Sequence, residues 1–132
     1  MPEEKVKTQY VGNIKDLPVV DISNFILGGE KRIVFGPDRF WDSHVMRHLT
    51  LKPGAVVPLH DHPWLHWALC VGGEGKFVVG EDEYDIENGS WMHVPSSASH
   101  QFWNTSKTDA LEIICIVIPK GDVNPVGDAR GC

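Results

Sequence analysis

Apolar and polar positions alternate along most of the chain in short runs, not in helical repeats. The segments "HVMRHLTL" (44–51), "AVVPLHDH" (55–62), "LHWALCV" (65–71) and "KFVV" (76–79) read as strands. So do "EYDIE" (83–87), "SWMHVP" (90–95), "HQFWN" (100–104) and "ALEIICIVI" (110–118). The turn signals "KPG", "GGEG", "GED", "ENG", "PSS" and "NTSKTD" separate them. No window of about a dozen residues sustains an apolar repeat of helical period, so no long helix is expected. Many short strands joined by glycine- and proline-rich turns point to an all-β sandwich or small barrel.

The two ends differ from this body. An N-terminal arm (1–20) is polar and carries "PEEK" and "GNIKD", and "KGDVNPVGDARGC" reads as a C-terminal tail (120–132). Between them the strand at 110–118 is apolar on both faces except at Glu112, which a one-sided surface strand would not be. Its second face needs a cover: the N-terminal segment, the other sheet or a partner subunit. A homodimer is therefore expected. The length of 132 residues suits a single domain, and no internal repeat is visible.

Composition narrows the function classes. Apolar residues make up 42% and charged residues 23%, ordinary values for a globular protein. The formal net charge is −6 with no lysine or arginine cluster, which argues against a nucleic-acid backbone binder or an anionic-membrane binder. The start "MPEEKVKTQY" lacks the apolar core of a signal peptide, and the run "IICIVIP" is far too short to span a bilayer. Cys70, Cys115 and Cys132 form no CxxC pair. They are expected to be two buried core thiols and a tail thiol in a reducing cytoplasm.

The chemistry concentrates in histidine. "PLHDHPWLHWALC" (58–70) places His60, His62 and His66 within seven positions. Alternation along a strand points His60 and His62 to one side and Asp61 to the other. The even offset to His66 can return it to the same interior, with Trp64, Ala68 and Cys70 on its face. His100 opens the strand "HQFWN". An HxH pair alone is a weak signal, but HxHx3H followed by a further strand-opening histidine is a much stronger one.

These residues resemble the two motifs of the cupins. In G(X)5HXH(X)3–4E(X)6G, Gly54, His60, His62, His66 and Gly73 take the motif positions. In G(X)5PXG(X)2H(X)3N, Gly89, Pro95, His100 and Asn104 match, with Ser97 where the glycine usually stands. The resemblance covers about residues 45–118. It implies a single double-stranded β-helix (jelly-roll) barrel with a metal held inside by His60, His62, His66 and His100.

His66 departs from the motif's glutamate. Such a change is compatible with a site that has lost its metal, and with a four-histidine site. The second is favoured because histidine is itself a first-rate ligand. Four neutral imidazoles leave a divalent ion its full charge, so an anionic, preferably bidentate, ligand is expected opposite it. All-imidazole coordination disfavours magnesium and calcium and suits one Fe, Mn, Ni, Cu or Zn ion. A closed, purely structural zinc site is the competing picture.

Two further residues are candidates for catalysis. Arg47 alternates with Val45, Leu49 and Leu51 and is expected to face the barrel as partner to an anionic substrate, or else to lie on the surface. His93 in "SWMHVP" is a candidate hydrogen-bond partner to a metal ligand or a general base, with an exposed histidine as the alternative. No carboxylate falls by parity beside the four histidines. This leans the expectation towards a metal-dependent, dioxygenase-like oxidoreductase acting on a small anionic or chelating molecule. A non-redox lyase, isomerase or cyclase and a non-catalytic ligand-binding module remain the alternatives, because this fold hosts all three.

Overall fold

The computed structural model describes residues 10–23 and 25–122. Among these residues nine strands form: β1 (Gly29–Phe35), β2 (Val45–Leu51), β3 (Val56–His60), β4 (His66–Gly72) and β5 (Glu74–Val79), then β6 (Asp82–Glu87), β7 (Trp91–Val94), β8 (His100–Asn104) and β9 (Leu111–Val117). One sheet runs β1-β2-β9-β4-β7 and the other β3-β8-β5-β6, with every pairing antiparallel. Two facing antiparallel sheets of this kind make the jelly-roll barrel expected from the strand pattern.

Alternation decides what lies between the sheets. Along β4 the buried positions are His66, Ala68 and Cys70, and along β9 they are Leu111, Ile113, Cys115 and Val117. Val57, Phe77, Ile86 and Phe102 fill the space from the opposite sheet, and Met92 adds to it from β7. The core is apolar through the body of the barrel and turns polar at one end, where β3 finishes and β4 and β8 begin.

The strand β1 was not among the sequence-expected elements. Its inward position is taken by a charged residue, Lys31, which breaks the apolar alternation used to find strands. The tail expectation is altered too, since Pro119–Asp122 forms one helical turn against the barrel. Residues 1–9 of the arm and 123–132 of the tail, Cys132 included, lie outside the described residues.

The second face of β9 is covered in part by the N-terminal segment. A 3-10 turn, Ile14–Asp16, is capped by Asn13, whose side chain accepts from the Lys15 amide. Arg32 Nε donates to the Leu17 carbonyl. A cavity between this turn and the sheet is lined by His48, Glu112 and Ile114. His48 is buried beneath it and bonded to Glu112 at 3.0 Å. Cys70 is a free buried thiol, whereas Cys115 is disulfide-bonded, which corrects the expectation of a second reduced core thiol. Strand parity reports burial and carries no information on oxidation state. Among the described residues no helix is long and apolar enough to cross a membrane.

Candidate metal centre

The polar end of the barrel gathers the four histidines. His60 ends β3 and is the cross-strand partner of His100, which opens β8, and their ring centroids lie 4.2 Å apart. His62 follows in the loop, not on the strand, and its carbonyl accepts the Ser97 amide at 2.7 Å. Its ring lies 4.7 Å from that of His100. His66 opens β4 with its ring 5.6 Å from His100 and 5.8 Å from His62. Ligand nitrogens of His60, His62 and His100 all lie within 4.8 Å of one another, and His66 stands just outside that group.

Hydrogen bonds set the tautomers. Nδ1 of His60, His62 and His100 faces the carbonyls of Pro58, Trp64 and Ala98 at 2.7, 3.0 and 3.0 Å. A carbonyl can only accept, so each Nδ1 carries the proton and the Nε2 lone pair is left for another partner. This is the arrangement that orients a metal-ligating imidazole. Nε2 of His62 and both nitrogens of His66 are buried without a hydrogen-bond partner. Leaving such groups unsatisfied costs about 1–3 kcal/mol each, and a divalent ion taking one nitrogen from each ring would remove part of that cost. The all-imidazole donor set fits a transition metal.

Electrostatics agree with a neutral, cation-ready cluster. Burial pushes the His66 imidazolium well below its ordinary range, and the Arg47 charge and the neighbouring histidines push it further. His62 is lowered by burial and then by His100. Both are therefore free bases at neutral pH, the form that binds a metal.

The surrounding wall comes from several elements. Trp64 stacks on His62 with centroids 5.0 Å apart and rings nearly parallel. Phe25 meets His60 edge-on at 5.4 Å. Asn104 donates from Nδ2 to the carbonyls of Leu51 and Asp109 and accepts from the Ser106 amide, so this motif residue ties strands together away from the histidines.

Arg47 points inward and is fully buried. Its Nε donates to the Cys115 carbonyl at 3.3 Å and its Nη1 to Asp122 at 3.1 Å. Lys31, also buried, shares the same carboxylate at 2.8 Å. His93 is brought elsewhere. Met92 and Val94 take the inward positions of β7, so His93 is exposed on the outer face beside Trp67. It borders a cleft at the edge of the barrel between β6 and β7, with Tyr84 and Trp91, and stands apart from the histidine cluster. Sequence reading missed Lys31, Phe25 and Asp122. Lys31 was recoverable from its parity with Ile33 in "GEKRIVF", whereas nothing in the polar tail marks Asp122 as buried against a barrel.

Comparison with known proteins agrees with the geometry. The family model for the cupin domain matches residues 47–117, more than half of the chain. The chain belongs to the cupin family. Among solved structures similar to this cupin is a predicted oxalate decarboxylase from Thermotoga maritima, 24% identical, with a TM-score of 0.73 over 82% of this chain and 97% of that one. Another is the polyketide cyclase RemF from Streptomyces resistomycificus, 16% identical, with a TM-score of 0.72 over 82% of this chain and 78% of that one. At these identities the likeness is one of fold. Auxin-binding proteins T85 and T92 from Nicotiana tabacum are each 26% identical over 78 residues, 52% of this chain. The match spans 42% of the length of each of these curated relatives.

Proposed function

We propose that this cupin is a metal-dependent enzyme acting on a small anionic or chelating molecule, with dioxygenase-like oxidation as the first reading. The observation that carries it is the histidine cluster: three imidazoles whose Nδ1 protons are tied to carbonyls, beside a fourth whose nitrogens are both unpartnered. His60, His62, His66 and His100 are proposed as the ligand set for one Fe, Mn, Ni, Cu or Zn ion. A redox-active ion there would supply electron transfer to dioxygen and polarise a chelating substrate.

The chain's own residues account for the rest. Four neutral ligands cancel none of the ion's charge, so the site favours an anion. Arg47 adds a permanent positive charge that His66 and His62 both feel. Trp64 and Phe25 narrow the space around His62 and His60 and limit water. Among the described residues the group formed by His60, His62 and His100 includes no carboxylate, so proton transfer by a side-chain acid is not built into it.

The second reading is non-redox: a lyase, isomerase or cyclase using the ion as Lewis acid. Its support is the presence of a predicted decarboxylase and a polyketide cyclase among proteins of the same fold. A ligand-binding role is the third, supported by the auxin-binding names of the curated relatives. Elemental analysis of protein purified without added metal, followed by oxygen uptake across diketones, catechols and α-keto acids, separates the three. Near-stoichiometric redox metal with oxygen consumption supports the first. Turnover of the same compounds under anaerobic conditions supports the second, and tight binding without product the third. We also propose a homodimer, which rests on the apolar outer sheet face.

A further inference from the structure

At the polar end of the barrel, Asp122 reaches back from the helical turn Pro119–Asp122 to two buried cations on adjacent strands. Lys31 Nζ lies 2.8 Å and Arg47 Nη1 3.1 Å from the same Oδ1. The carboxylate is itself only 13% exposed. Burying two cations side by side is costly unless an anion stays with them, so this corner of the barrel is built to hold a carboxylate.

The same turn also bears on the histidine cluster. Gly121 lies against the Trp64 indole so closely that an added Cβ would stand 2.5 Å from Nε1. Trp64 in turn stacks on His62. Asp122 and Pro119 also line a cavity of about 360 Å³ together with Ile33, Val45, Asp38 and Arg39, so the outer side of the turn borders open space.

We propose that Lys31 and Arg47 form a carboxylate-binding subsite beside the metal centre, and that Asp122 is its built-in occupant. A carboxylate-bearing ligand takes the place of Asp122, the cations keep a counter-charge throughout, and the released turn withdraws Gly121 from Trp64. Ligand capture and access to His62 are thereby one event. This deepens the reading of the site as one for small anions and rests on it, but it does not require a metal to be bound.

The test uses the full-length protein stripped of metal, at about pH 8, with malonate as probe and chloride at equal ionic strength as control. Asp122→Asn keeps the shape and removes the competing charge. It is expected to bind malonate roughly tenfold tighter than the unaltered protein, and Lys31→Met added to it is expected to abolish the gain. A folded Asp122→Asn protein that binds malonate no more tightly overturns the subsite, as does a gain that survives Lys31→Met. Should Asp122→Asn fail to fold, hydrogen exchange on the unaltered protein decides. Malonate is expected to accelerate exchange at residues 120–122 where chloride does not, and unchanged exchange at saturating malonate overturns the proposal. A failure of the metal reading would appear separately, as absent metal in the native protein, and leaves these measurements unaffected.

Discussion

His66 is the residue on which the site turns. It is 1% exposed, carries two nitrogens without partners, and stands where the cupin motif has a glutamate. If it is a ligand, His66→Leu is expected to lower metal affinity by more than about tenfold while stabilising the metal-free protein by about 1 kcal/mol, since two unsatisfied polar atoms are removed. Metal titration and thermal melts of the metal-free form check both halves, and unchanged affinity would remove His66 from the ligand set. Its titration has a definite sign. The folded imidazolia of His66 and His62 are lowered beneath their ordinary value of 6.5, so the unfolded chain takes up protons that the fold refuses. Their contribution to stability is complete above about pH 6.5 and is lost as pH falls towards the folded values. The urea midpoint of metal-free protein is therefore expected to be lower at about pH 5.5 than at about pH 8, and less so in His66→Gln. Ser97 is the second informative position. It replaces the motif's glycine yet keeps a left-handed φ of 63°, and its amide holds the His62 carbonyl. Ser97→Gly retains that bond and relieves the strain, so a gain of up to about 1 kcal/mol is expected; a lower melting temperature would refute the account.

At the scale of elements, the corner between β4 and β5 carries the chain from one sheet to the other. Gly73 sits there with φ of 79°, and a Cβ would lie 2.2 Å from the Ala110 carbonyl oxygen. Both conformation and space exclude a side chain, which is why this motif position is glycine. Gly73→Ala is expected to cost about 2 kcal/mol or more, read as a fall in melting temperature; a loss within half of one kcal/mol would mean the corner relaxes freely. The elements β3, β4 and β8 were legible in sequence because their inward residues alternate. β1 was not, since Lys31 occupies an inward place that an alternation search reserves for apolar residues. The turn Pro119–Asp122 was illegible for a related reason. Its anchoring interactions are with Lys31, Arg47 and Trp64, all more than fifty residues away in sequence.

At the scale of the molecule, the outer face of the five-stranded sheet remains apolar. Trp67 opposes Ile116 and Leu69 opposes Ile114 across β4 and β9, and Trp91 on β7 is 78% exposed. The N-terminal turn covers the His48 and Glu112 end of this face but leaves Trp67, Leu69 and Trp91 in the open. A second copy laid on it would bury these residues, so light scattering at micromolar concentration is expected to give the mass of two chains, and a monomeric mass would refute the dimer. By itself the sequence determined the all-β class, the inward parity of His60, His66 and His100, and the glycine-punctuated corners, because a period of two and local turn chemistry are properties of neighbouring residues; whether Arg47 faced the barrel or solvent it left open. It could not determine that Asp122 answers Arg47, that His93 faces outward on β7, or that Trp64 lies between His62 and the C-terminal turn. Those facts depend on which strands pair and how the chain returns after β9, and only closure of the barrel decides them.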